Sequence, residues 1–215
     1  TSAADGTALD LHLSTPMPSG GAGFDLDADP GPDPETWIVE LRRVDGAARP
    51  PFRTLKPGHH LPLPAGGSAE VLAPYPPDCG PDAANPGPSR LWVVALSIPG
   101  AVGAYLERHG RPIRYTGGTE WPSSAYQTVF ASRPGSAEMP SAARPFTPEL
   151  VTTLIATGVG IATLTLHTGV SSQEAGEAPQ PERFEVPALG ARLVNATRAE
   201  GGRVIAVGTT TTRAL

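Results

Sequence analysis

His167 ends an apolar, β-prone run from Ile161 to Leu166 and is followed by Thr168-Gly169. An imidazole at a strand's carboxyl end changes charge near neutral pH with little shift, which suits it to proton transfer or to a hydrogen bond with a sugar or base. A structural histidine bonded to backbone is the alternative. A second polar turn, Gly208-Thr209-Thr210, follows the nearly continuous apolar run Arg203 to Val207. The hydroxyls of Thr209 and Thr210 and the free N–H groups of a starting helix suit a carboxylate or phosphate, and Arg213 offers a bidentate guanidinium. Plain N-capping explains the same threonines. Glu149 is either a base or a first-turn acid that favours the helix dipole. Tyr126 and Gln127 offer a ring for stacking on a base and an amide for reading its edge, and Tyr126 suits a core equally well. Arg108, Arg111 and Arg114, with His109 and Tyr115, form a basic group suited to RNA phosphates, or a solvated helix end with its cations at the C-terminus.

The elements that must position these groups differ between the two halves. In the first, Leu9/Leu11/Leu13, Trp37/Val39/Leu41 and Leu91/Val93/Ala95 alternate with their neighbours, and turn-rich segments separate the runs. Nineteen of the 26 prolines fall at or before Pro122, which suits short strands and tight loops. A small antiparallel barrel or sandwich is expected, closed by a helix over 99–109 that ends at Gly110 in a left-handed conformation. The acidic stretch 22–35 reads as a loop.

In the second half, Tyr126 to Ala131 reads as β, and Thr147-Pro148 opens a helix to about Thr157 that Gly158 ends. A strand over 161–166, a helix over 187–200 stopped by Gly201-Gly202, and a strand over 203–207 follow. Helix and strand in alternation predict a parallel sheet with both strand ends, His167 and Thr209-Thr210, side by side at one mouth. Residues 170–186 are expected to form a flap over it.

Composition removes several classes. Gly and Pro make up 51 of 215 residues, yet 39% hydrophobic residues and three Trp argue for a folded, loop-rich protein. One cysteine, Cys79, excludes a disulfide framework and cysteine zinc sites, and the scattered His give no metal site. No apolar stretch is long enough to cross a bilayer and no leader is present, so a cytoplasmic location without membrane partners is expected. The net charge of −5 is unevenly spread: residues 1–40 hold eight acids and no Lys or Arg, whereas 41–115 carry nine bases against five acids. Only that middle part attracts phosphate by charge alone. Thr1 is not an initiator and the chain stops just after a strand-to-helix turn, so a fragment is expected.

An ordered series of segments then becomes informative: Tyr126-Gln127-Thr128-Val129-Phe130-Ala131, Pro134-Gly135, Pro140-Ser141-Ala142, Phe146-Thr147-Pro148-Glu149-Leu150, Leu164-Thr165-Leu166-His167-Thr168-Gly169, and Gly202 through Thr210. Together they resemble the S-adenosylmethionine:tRNA ribosyltransferase-isomerase family of queuosine synthesis, sharply over 124–215 and more loosely over 1–115. The resemblance implies an α+β, multidomain fold: a small antiparallel β-barrel domain, 1–115, inserted in an α/β barrel-like catalytic domain of which 116–215 is a part. It implies transfer and isomerisation of the ribosyl group of S-adenosylmethionine onto the aminomethyl-deazaguanine at the wobble position of tRNA. Adenine and methionine leave, and no cofactor or metal is required beyond S-adenosylmethionine as substrate. His167 and Glu149 would be catalytic; Gln127, Tyr126, Thr147, Gly169, Thr209, Thr210 and Arg213 would bind substrate; Arg108, Arg111 and Arg114 would bind RNA. The chain departs from the family pattern at Pro145, where a histidine is usual, at Glu138, and at Val170-Ser171-Ser172. A paralogue with another acceptor, or a non-catalytic RNA- or nucleoside-binding protein, fits those departures.

Overall fold

A computed structural model describes residues 1–3, 5–17, 35–44, 49–76, 89–113, 121–170 and 182–215. Residues 22–34 of the acidic stretch, Cys79, Arg114 and Tyr115 lie outside the described residues, and Glu35, read as its end, belongs to a strand. The chain divides into two compact units, one drawn from Thr1–Glu120 and Gly169–Glu177, the other from Trp121–Thr168 and Ala178–Leu215.

The first unit is built on an antiparallel sheet of β1 (Leu9–Pro16), β2 (Glu35–Arg43), β3 (His60–Pro62), β4 (Ser68–Tyr75) and β5 (Leu91–Ser97), in the order β1-β2-β5-β4-β3. Among the described residues β1 and β3 do not pair with each other, so the antiparallel sheet expected as a barrel or sandwich has an open edge there. Each of two strands carries one extra residue, Ser14 in β1 and Leu72 in β4, and such bulges bend and twist a sheet. One face holds Trp37, Val39, Leu41, Val71, Trp92, Val94 and Leu96, all buried. β5 thus turns inward the opposite phase from Leu91/Val93/Ala95. Its run is apolar on both phases, and its pairing with β2, Val39 to Trp92 and Trp37 to Val94, decides which side faces the core.

Helix α1 (Val102–His109) closes this core with Val102 and Tyr105, whose hydroxyl donates to the Pro64 carbonyl over 2.7 Å. It starts later than expected because Gly100 adopts a φ of +76°, which interrupts the backbone before the first turn. Gly110 is not left-handed either, with φ −73°. Glycine is required there because a Cβ would lie 2.5 Å from the Leu106 carbonyl oxygen.

The opposite face of β1 and β2 buries charge. The Glu40 carboxylate is wholly enclosed; it accepts from Arg42 Nε and Nη2 at 3.0 Å and from Arg90 Nη1 at 3.2 Å. His12 stands opposite Glu40 in the ladder and is also buried, its Nδ1 without a hydrogen-bond partner among the described residues. Burial holds the His12 imidazole below its ordinary range, against the pull of the Glu40 carboxylate.

The second unit contains α2 (Pro148–Ala156), β6 (Thr165–His167), β7 (Arg183–Glu185), α3 (Ala188–Ala199) and α4 (Thr209–Ala214). α2 starts as the sequence predicts: the Thr147 hydroxyl accepts from the Leu150 N–H at 3.1 Å, Pro148 takes the first turn, and Gly158 follows at φ +87°. α3 stops at Gly201, φ +73°. The predicted parallel sheet is not found among the described residues. β6 pairs antiparallel with β7, Tyr126 closes a 3-10 turn (Ser123–Tyr126), and 203–207 joins no sheet. An extended apolar run becomes a sheet strand only where a neighbour accepts and donates its backbone hydrogen bonds, and the 203–207 run has no such neighbour among the described residues; Ile205 is 77% exposed. None of the described residues of this unit is buried. No helix among the described residues is long and apolar enough to cross a membrane.

Two outcomes follow from the buried charges. Glu40→Ala leaves Arg90 enclosed without its carboxylate and is expected to cost about 3–5 kcal/mol of folding free energy by urea denaturation; a loss under about 1 kcal/mol would show that the carboxylate does not anchor the sheet. His12 is kept neutral by folding, so the unfolded chain takes up a proton that the folded one refuses. The stability is therefore unaffected above pH ~6.5 and declines as pH falls below it, and His12→Gln should flatten that decline in urea midpoints measured between pH 5 and 8.

Candidate active site

His167 ends β6, and the pairing Thr165 to Glu185, Leu166 to Phe184 and His167 to Arg183 sets its surroundings. Residues directly opposite in an antiparallel ladder point to the same face, with Cβ atoms about 4.5–5.5 Å apart. One face of this ribbon therefore presents Thr165, His167, Arg183 and Glu185. Arg133 reaches the same face and pairs with Glu185 through Nη1 and Oε2. His167 is half-buried, and its Nδ1 is enclosed with no hydrogen-bond partner among the described residues. Its imidazole is held below the ordinary range, first by desolvation and then by the Arg183 and Arg133 cations, with the Gly135 backbone acting the other way. Cations beside the ring favour its neutral form, which can accept a proton, and at the same time lower its basicity.

The segment around Gly135 is fastened to the end of β6. Ser136 Oγ lies 2.8 Å from Thr168 Oγ1 and accepts from the Thr168 N–H at 3.1 Å, while the Ala137 N–H donates to the Thr168 carbonyl at 3.0 Å. Arg183-Phe184-Glu185 belongs to a strand and not to the flap expected over 170–186; of that flap, 171–181 lies outside the described residues. Val170 belongs to the first unit, where it is buried and donates its N–H to Ser14 Oγ at 2.9 Å.

The other predicted residues are distributed as follows. Gly208 precedes α4 at φ +93°, and a Cβ there would meet Ala142 Cβ at 3.2 Å, so the polar turn lies against the 3-10 turn Ser141–Ala143. Thr209 is exposed and Thr210 half-buried. Arg213 Nη1 pairs with Glu182 Oε2 at 3.0 Å, so its guanidinium meets a carboxylate of this chain, one residue before Arg183. The hydroxyl of Thr147 caps α2. Glu149, exposed in the first turn, has its carboxyl held below the usual range by its own backbone N–H and by the Thr147 hydroxyl; this weakens it as a base. Tyr126 is half-buried, Gln127 exposed, and Gly169 directly follows Thr168. Arg108 and Arg111 are exposed at the end of α1, in the first unit. Among the described residues no group of three or more His, Cys, Asp or Glu could hold a metal ion.

Sequence reasoning missed Arg133, Ser136, Arg183 and Glu185. A signal was present: Arg183-Phe184-Glu185-Val186 alternates polar and apolar residues with a period of two.

These features define an α+β protein whose second unit presents an imidazole, two guanidinium groups and a hydroxyl pair around one short ribbon. Over residues 35–215 the chain matches the family described as Queuosine biosynthesis protein, and it belongs to that family. The resemblance carried by the ordered motifs is borne out. Proteins named S-adenosylmethionine:tRNA ribosyltransferase-isomerase are similar to it: that of Synechococcus elongatus is 34% identical over 174 residues, covering 75% of this chain and 48% of the relative. That of Thermus thermophilus is 38% identical over 172 residues, covering 77% and 48%, and that of Acidiphilium cryptum 34% over 196, covering 84% and 51%. The chain thus spans about half the length of these relatives. No solved structure matches it.

If the Ser136 hydroxyl fastens the end of β6, Ser136→Ala should speed hydrogen exchange at the Thr168 amide by roughly tenfold, the equivalent of about 1.4 kcal/mol. An unchanged rate would remove this hydroxyl from the support of His167.

Proposed function

We propose that the chain is part of an S-adenosylmethionine:tRNA ribosyltransferase-isomerase. In this reading the ribosyl group of S-adenosylmethionine passes to the aminomethyl group of a deazaguanine at the tRNA wobble position and rearranges to an epoxycyclopentanediol, while adenine and methionine leave. The sulfonium acidifies the adjoining 5′ carbon, and a neutral base next to it starts the sequence. The observation that carries this reading is the match of residues 35–215 to the queuosine family, within which His167 is half-buried at a strand end and its imidazole is held below the ordinary range. His167 is assigned the proton transfer. Glu149 is assigned to the helix start, where its lowered carboxyl suits the dipole.

Gln127 and Tyr126 are assigned to the nucleoside, together with Gly169, Thr209 and Thr210, and Arg213 to the pose of the last turn through Glu182. Arg108 and Arg111, with Arg114, are assigned to tRNA phosphates; the exposure of the first two supports this. Residues 1–115 are read as a barrel-like domain inserted in a catalytic α/β barrel, with 116–215 a portion of that barrel. Support comes from the second unit's exposed apolar side chains, among them Ile155, Leu189 and Ile205, which suit a surface that further chain covers. Pro145, where a histidine is usual, favours a second reading, a paralogue with a different acceptor.

With precursor-bearing tRNA, the full-length enzyme should release adenine and methionine together; release only with a small acceptor would establish the paralogue instead. His167→Ala should lower turnover about 10²–10⁴-fold while changing stability by less than about 1 kcal/mol. Retained turnover removes His167 from the chemistry. Replacing both Arg108 and Arg111 by Gln should weaken tRNA binding and reduce the slope of log affinity against log salt by about 1.4–1.8; an unaltered slope removes the patch.

A further inference from the structure

Thr168 has no role in the function proposed above, yet a count of hydrogens fixes what its side chain can do. The neighbouring Ser136 hydroxyl has one hydrogen to give and two lone pairs to fill. Its hydrogen goes to the Glu138 carbonyl, which can only accept, over 2.9 Å. The Thr168 N–H fills one lone pair at 3.1 Å. The contact between Ser136 Oγ and Thr168 Oγ1 at 2.8 Å must therefore run from threonine to serine and fill the other. Ser136 is then saturated, and the Thr168 hydroxyl has spent its only hydrogen. Among the described residues nothing donates to its two lone pairs. The same segment also fixes the main chain, with the Ala137 N–H donating to the Thr168 carbonyl at 3.0 Å. Half-buried and held through its N–H, O–H and C=O, Thr168 is an oriented acceptor one residue past His167.

We propose that Thr168 binds the substrate, its Oγ1 accepting a hydrogen bond from a ribose hydroxyl of the adenosyl group. The proposal rests on the reading of the chain as acting on S-adenosylmethionine. In that reading His167 works at the 5′ carbon. The sugar hydroxyls are the donors fewest bonds away from that carbon, nearer than the adenine amine or the methionine ammonium. A free hydroxyl turns to suit either a donor or an acceptor, whereas this one cannot turn without breaking its bond to Ser136. It therefore offers a sugar hydroxyl an acceptor without competing for the same hydrogen. Because the acceptor is oriented before the substrate arrives, little rotamer freedom is lost on binding. Such a bond is made alike in the ground state and the transition state, so its loss is felt in KM and not in kcat.

The test compares Thr168→Val and Thr168→Ser with the wild type, in the full-length enzyme with precursor-bearing tRNA. Valine keeps the branched shape and leaves both backbone bonds of residue 168 in place. In adenine release, Thr168→Val should raise KM for S-adenosylmethionine roughly three- to tenfold and leave kcat almost unchanged, and Thr168→Ser should restore KM. Calorimetric binding of S-adenosylhomocysteine and of its 2′-deoxy and 3′-deoxy forms then identifies the donor. Thr168→Val should weaken the parent by the same factor and leave unaffected the one deoxy form that lacks the bonded hydroxyl. Equal weakening of all three nucleosides overturns the proposal, since the loss would then come from shape or from a donor outside the sugar. An unchanged affinity for the parent overturns it as well, as does a fall in kcat at constant KM. Wild-type enzyme that binds S-adenosylhomocysteine but releases no adenine overturns the reading of the reaction alone, and the three binding constants still decide the contact of Thr168.

Discussion

A carboxylate with no exposure to water imposes the strictest condition on this chain. Glu40 lies in β2, which β1 and β5 flank, and its charge is tolerated only because Arg42 and Arg90 meet both of its oxygens. Arg90 precedes β5, and Arg42 also donates to the carbonyl of Arg49, which in turn pairs with Asp10 of β1. One anion thereby ties three strands and a connecting segment into a single register. The apolar face behind it supplies most of the free energy, but apolar contacts are non-directional and would accept a slipped ladder more readily than a buried ion pair does.

The same logic, at lower burial, governs the second unit. There the ion pairs Arg133–Glu185 and Arg213–Glu182 are exposed, and exposed pairs contribute little to stability. Their significance is positional: they tie Arg133 to Glu185 of β7, and Arg213 of α4 to Glu182, which immediately precedes β7.

Legibility in the sequence followed the range of the interaction. Strands β1 and β2 and the cap of α2 are local signals, readable from alternation or from Thr147-Pro148. β3 and β4 were missed, because Ser68–Tyr75 spreads its apolar positions over Ala, Val and Pro with little contrast. The facing phase of β5 was misjudged because both phases are apolar and only the partner strand chooses between them. The candidate site was half legible: His167 stands out by type and place, whereas Arg183 becomes relevant only through a pairing that spans sixteen residues of chain. The parallel sheet failed for a related reason, since runs such as 203–207 carry the apolar content of a strand but not the identity of its neighbour.

The amide of Val170 and the bulged Ser14 have a consequence for any attempt to treat the halves separately. Between Thr168 and Val170 the polypeptide passes from one compact body to the other, only three positions beyond the imidazole, and it returns by Glu182. Neither body is a contiguous cassette, and no single cut in the gene separates them with both intact. A cut between Arg43 and Thr168 would leave the five-stranded sheet without its distant valine, and one between His167 and Arg183 would leave the histidine ribbon without its second strand.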